Sequence, residues 1–110
     1  MVKKLEPHLR DFEDLLTQLM AEHGVEQGTM MGFPCMRING DFFASANHQT
    51  GDLVVKLPAY RVAALIADGL GQPFAPAGRT FKEWVSFAQR DPDQWESLAL
   101  EALEFVRSKQ

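Results

Sequence analysis

In Cys35-Met36-Arg37-Ile38-Asn39-Gly40-Asp41-Phe42-Phe43-Ala44-Ser45-Ala46, an Asn-Gly pair separates two apolar runs. Asn-Gly between two apolar runs is the strongest short hairpin signal, because both central residues of the tight turn must adopt positive φ. A two-residue turn pairs Ile38 with Asp41 and Met36 with Phe43. That register places Met36, Ile38 and Phe43 on one face, with Cys35, Phe42, Ala44 and Ala46 on the other. Both faces are apolar, so the hairpin predicts cover on both sides, or on one side together with a partner chain.

Downstream, a polar turn over residues 47–51 leads into Asp52-Leu53-Val54-Val55-Lys56-Leu57, a third consecutive strand of a meander. Upstream, residues 25–31 carry a weaker strand pattern that Gly32-Phe33-Pro34 breaks. Two helices frame these strands. Leu9, Phe12, Leu16, Leu19 and His23 recur at three- and four-residue spacing, widened by Leu15 and Met20. Pro7 suits the first turn, and Gly24 suits a left-handed position after the last. After the meander, Pro58 opens a helix with Val62, Leu65 and Ile66 on its buried stripe, and Gly69 stops it.

Gly69, Gly71, Pro73, Pro76 and Gly78 then punctuate a loop that has room for a short strand near Pro73-Phe74. Residues 80–87 fit two patterns. Thr80 and Glu83 form a capping box for a helix burying Phe81, Trp84, Val85 and Ala88, while simple alternation sets Phe81, Glu83, Val85 and Phe87 against Lys82, Trp84 and Ser86. The last helix is unambiguous. Asp91 is its N-cap, Pro92 its first residue, and Trp95, Leu98, Ala99, Ala102, Leu103 and Val106 its buried stripe. The order is α-β(3)-α-β(1–2)-α. It predicts an α+β fold: an antiparallel sheet of four to five strands framed by three helices, with residues 1–110 forming one domain.

Composition supports this reading. Of 110 residues, 45% are hydrophobic and 24% charged, within the ordinary globular range. Formal net charge is −4. Residues 1–24 hold three basic and five acidic groups, residues 25–90 six and five, and residues 91–110 two and five. The cations are too dispersed for autonomous nucleic-acid binding. A single cysteine, Cys35, leaves no intramolecular disulfide and fits a reducing compartment. Neither a secretory signal nor a membrane-length apolar run is present, so a cytoplasmic location and no membrane partner are expected.

Several stretches resemble the TfoX N-terminal domain family. They are Gly28-Thr29-Met30-Met31-Gly32-Phe33-Pro34-Cys35, Asn39-Gly40-Asp41-Phe42-Phe43-Ala44, Val54-Val55-Lys56-Leu57-Pro58, Gly69 with Pro73-Phe74, and residues 79–85 followed by Trp95. The resemblance covers residues 8–107. It implies an α-β-β-β-α-β-β-α architecture similar to YjbR-like and secretion-chaperone-like folds, and it turns residues 80–87 toward strand. Full-length TfoX proteins regulate natural competence and carry a further helical domain. Met31 stands where those regulators often have Phe in a Met-Phe-Gly motif.

Candidate chemistry is sparse. Cys35 is a nucleophile only with a base or cation beside it, and otherwise a small buried hydrophobe. His48 follows the facing strand but sits in a loop. His8, His23, His48 and Cys35 lack metal-ligand spacing, and Gly69-Leu70-Gly71 follows a helix where a phosphate loop would precede one. No cofactor is expected. Lys56, Arg79, Lys82 and Trp84 form the leading binding set: three cations and an aromatic suited to a carboxylate, a phosphate or an acidic partner surface. The alternative has Lys56 snorkelling from a sheet edge, Trp84 packing, and Arg79 and Lys82 solvated. Met30, Met31, Phe33 and Met36 offer either an adaptable surface or core.

The expected role is a noncatalytic interaction or regulatory module acting on another protein. Competing expectations are a small-ligand-binding protein or enzyme using a sheet-lined pocket with Cys35, Lys56 and Trp84, and a DNA-associated regulator acting through a partner. The two-sided hairpin and an edge strand also leave room for a homodimer across a two-fold axis.

Overall fold

The computed structural model describes residues 7–30, 33–47 and 49–110. A 3₁₀ turn, Pro7–Leu9, leads into α1, Arg10–His23. Four strands follow: β1 Glu26–Met30, β2 Phe33–Ile38, β3 Asp41–Ala46 and β4 Leu53–Lys56. Then come α2, Ala59–Ala67, the two-residue strand β5, Gln72–Pro73, a second 3₁₀ turn at Pro76–Gly78, β6, Trp84–Phe87, and α3, Pro92–Arg107. The result is an α+β fold of three helices and a six-stranded antiparallel sheet ordered β1-β2-β3-β4-β6-β5. The expected four to five strands become six because β1 and the short β5 both pair.

Helix ends follow the local chemistry. Asp91 accepts a hydrogen bond from the Gln94 amide at 3.1 Å, and Pro92 occupies the first turn of α3. Gly24 ends α1 in the left-handed region at φ 69°. Every residue of the stripe expected on α3 is buried. On α1, Phe12, Leu15, Leu16 and Leu19 are buried, but Met20 and His23 face solvent. The stripe is therefore narrower than its spacing predicts, because α1 meets the core along one edge only. The first turn at Pro7 is 3₁₀ rather than α. Helices α2 and α3 are joined by Arg61, whose Nε and Nη2 donate to Glu101 at 2.8 and 3.2 Å. That hydrogen-bonded carboxylate raises the Arg61 pKa above its ordinary value.

The sheet departs from the simple hairpin register. Asn39 and Gly40 take positive φ, 52° and 90°, and Ile38 pairs with Asp41 as expected. Arg37 then pairs with Phe42, but Met36 pairs with Ala44, so Phe43 is an extra residue on β3. This is a β-bulge, in which two residues of one strand oppose one of the other. Its effect is to correct the predicted faces. Met36, Ile38, Phe43, Ala44 and Ala46 all join the core shared with the three helices, and Met36 is fully buried there rather than on a binding surface. Continuing the unbulged register would have turned Ser45 into that core. Burying a hydroxyl without a partner costs about 1–3 kcal/mol. The bulge puts two alanines inward and turns Ser45 to the opposite face.

Residues 84–87 are strand, not helix. Val85 and Phe87 pack into the core, and Trp84 pairs with Lys56 across β4. A strand here supplies partners for the free edge of β4, which a helix would leave unpaired. Glu83 does not close a capping box with Thr80; its carboxylate lies 3.7 Å from the Lys109 ammonium.

Arg90 ties three elements together. Its guanidinium donates to the carbonyls of Thr50 and Ala88 at 2.6 and 2.8 Å, pairs with Asp52 at 3.2 Å and with Asp11 at 3.3 Å, and lies over the Trp95 ring. Trp95 Nε1 in turn donates to the Gln89 carbonyl at 2.9 Å. Gly51, at φ 81°, sits against this junction, and a Cβ there would stand 1.9 Å from the His8 carbonyl oxygen. No helix among the described residues is long and apolar enough to cross a membrane.

Two outcomes are expected in urea denaturation. Gly51→Ala should lower stability by about 2–4 kcal/mol, from left-handed strain together with a backbone clash that cannot be relieved by a rotamer change. Arg90→Lys should lose about 1–2 kcal/mol, because an ammonium cannot reproduce a planar fork that meets two carbonyls and two carboxylates.

Candidate functional site

All three helices pack on one face of the sheet, and the opposite face, which no helix of the described residues covers, carries the site. Cross-strand partners share a face, so Cys35 and Ser45, Ser45 and Val54, Val54 and Ser86, Lys56 and Trp84, and Arg37 and Phe42 all lie on the helix-free side. A cleft of about 640 Å³ opens there. Ser45 and Val54 form its floor, Phe42 stands on the β3 side, and Trp84 on the β6 side.

The loop between β5 and β6 builds the far wall. The Phe81 amide donates to the Phe74 carbonyl at 3.0 Å, which closes the loop on itself. The Phe74 ring then sits 5.9 Å from Phe81 and 6.4 Å from Trp84, both tilted, within the range of favourable aromatic pairs. Phe81 is 38% exposed, so this wall offers apolar surface to the cleft. Val106 and Lys109, at the end of α3, close one end beside Asp41. The Gln110 amide anchors that end by donating to the Ile38 carbonyl and to Asp41.

The charges divide unevenly. Arg61, Arg90, Arg107 and Lys109 each pair with a carboxylate. Arg37, Lys56, Arg79 and Lys82 have no carboxylate partner among the described residues. Arg37 lies over the Phe42 ring at 5.9 Å, with its Nε buried and unbonded. It also fills the space above Gly28, where a Cβ would meet Nε at 3.0 Å. Arg79 lies over Phe81 at 5.7 Å, at the rim of the aromatic wall.

Of the residues singled out in the sequence, Lys56 and Trp84 line the cleft. Lys56 does not snorkel from a sheet edge: β4 lies between β3 and β6, so this lysine stands on an interior strand. Arg79 borders the cleft through Phe81. Lys82 is exposed in the turn before β6 and is not among the lining residues. Cys35 is fully buried beside the floor, its Sγ donating to Ser45 Oγ at 3.5 Å. Ser45 Oγ donates onward to the Pro34 carbonyl at 3.1 Å. His48, Met31 and Gly32 lie outside the described residues.

Sequence reasoning missed Phe42, Phe74, Phe81, Val106 and Lys109 as lining residues. For Phe42 the strand alternation already gave the correct face. For Phe74 and Phe81 nothing local shows that a Pro- and Gly-rich loop folds back over the sheet. No cluster of three or more His, Cys, Asp or Glu able to hold a metal ion is found among the described residues.

Comparison of the chain with family models, with curated proteins and with solved structures finds no match in any of the three. The resemblance to TfoX N-terminal domains therefore rests on the residues quoted above.

Burial of Cys35 has a direct consequence. A thiol closed off from solvent reacts only through opening of the fold. Ellman's reagent should modify the urea-unfolded chain within seconds and the native chain at least about a hundred times more slowly. Equal rates would place Cys35 at an accessible surface.

Proposed function

We propose that this chain is a noncatalytic binding domain whose site is the aromatic cleft on the helix-free face of the sheet. One observation carries the reading. A concave cavity of about 640 Å³ is walled by Phe42, Phe74, Phe81 and Trp84, with Lys56 set among them. Its size lies within the range of small-molecule sites, and mostly apolar walls with a few placed polar groups are the usual composition of such sites.

The lining chemistry favours holding over turnover. The Ser45 hydroxyl donates to a backbone carbonyl, so its proton is not directed at a base. The Cys35 thiol is directed at Ser45 and shielded from the cleft by burial. Asp41 already accepts a hydrogen bond from Gln110. A regulatory role of the kind the TfoX resemblance implies would be exercised by occupancy of this cleft.

A ligand that binds only the folded chain raises its apparent stability. In a thermal-shift panel of bicyclic aromatics and medium-length acyl compounds, several members should raise the melting temperature at millimolar concentration. Trp84→Ala should remove most of that response while keeping a native-like circular dichroism spectrum. A flat response across the panel would sink the proposal.

A further inference from the structure

We infer that the cleft takes a small amphipathic carboxylic acid, with its apolar body against the aromatic walls and its carboxylate at Lys56. The inference rests on the proposed binding role of the cleft and adds the chemical class of the ligand.

The first ground is the position of Lys56. It sits on an interior strand, its side chain half-buried in a cleft made mostly of apolar surface. A cation held in such surroundings loses hydration and is stabilised by a nearby anion. No carboxylate of the described residues supplies one. The other charges at the cleft are already engaged: Lys109 with Glu83, and Asp41 with the Gln110 amide. Among the described residues Lys56 is thus the cation of the lining with no carboxylate at ion-pair distance, while Asp41, held by the neutral Gln110 amide, keeps its own charge at the α3 end.

The second ground is charge and donor matching. One ammonium offers a point charge, not the planar fork that grips two oxygens at once. Ser45 has its proton on the Pro34 carbonyl and so adds no donor. A monoanionic head matches one uncommitted ammonium, whereas a phosphate dianion would be left with charge and acceptors unmet. Arg37 and Arg79 are stacked on Phe42 and Phe81 at the borders of the cleft. They add positive potential that favours entry of an anion. The aromatic faces and the cavity volume then select a body of bicyclic or medium-chain size over an inorganic ion.

The test compares 2-naphthoate with its neutral isostere 2-naphthamide, and octanoate with octanamide, by amide-resolved NMR titration of the full chain. The acid of each binding pair should bind about tenfold or more tightly than its amide, as expected for a charge-assisted hydrogen bond at a partly exposed cation. Lys56→Met should abolish that difference while leaving amide affinity within about twofold. Lys82→Met, in the exposed turn, should preserve it. Raising the salt concentration should narrow the difference in the wild-type chain, an arm that needs no variant to fold.

Equal affinity of acid and amide would overturn the carboxylate assignment and leave the cleft as an apolar site. A difference that survives Lys56→Met would overturn the role of Lys56. Failure of all four compounds to bind would overturn the assignment together with the small-molecule reading. If an acidic peptide with an aromatic anchor bound in their place, the occupant would be a protein segment instead.

Discussion

One extra residue in β3 arranges both faces of the sheet. The bulge at Phe43 lets Phe43 and Ala44 enter the helix-side core together and turns Ser45 outward to pair with Val54 and Cys35 on the other side. Burial of a side chain as large as Phe contributes about 1.5–3 kcal/mol relative to exposure. Small alanines beside it leave room for α3 to pack closely over β3 and β4. On the opposite face, the same shift lays a short polar side chain and Val54 side by side as a shallow floor. A large side chain at position 45 would fill the cleft that Phe42 and Trp84 flank.

The two faces obey different rules. On the helix side, Trp95, Phe12, Phe43 and Phe87 interdigitate, and the charges around them are paired across elements, as with Arg61 and Glu101 or Arg90 with Asp11 and Asp52. On the open side, aromatic side chains remain partly exposed, and Arg37, Lys56 and Arg79 have no acidic partner among the described residues. An apolar concavity and a half-buried Lys56 without an ion-pair partner among the described residues are both costly to the isolated fold, and both are lowered by an anionic amphiphile. That joint relief connects the proposed binding role to a ligand class, where the fold by itself is compatible with many functions.

Helical stripes and turn chemistry made most of the architecture legible from sequence. Asp91 and Pro92 mark the start of α3, Asn39-Gly40 marks the hairpin, and the buried residues of α3 were all readable from a 3.6-residue period. A smaller part of the candidate site was legible in the same way. Lys56 and Trp84 stand out as a cation and an aromatic in neighbouring strand patterns, and alternation places Phe42 on the face opposite Met36.

Periodicity and turn conformation are local properties of the chain, so the three helices, the Asn39-Gly40 hairpin and most of the residues that leave water are readable from residue order alone. The β-bulge, the interior position of Lys56, the choice of strand over helix at residues 84–87 and the folding of Phe74 and Phe81 over the sheet are outcomes of tertiary packing. Each depends on a partner distant in sequence: Met36 choosing Ala44 over Phe43, β6 satisfying the open edge of β4, and Phe81 closing onto the Phe74 carbonyl. A residue's own pattern states that it is to be buried or paired. Which strand or ring meets it is set by the competition among all surfaces that need the same cover.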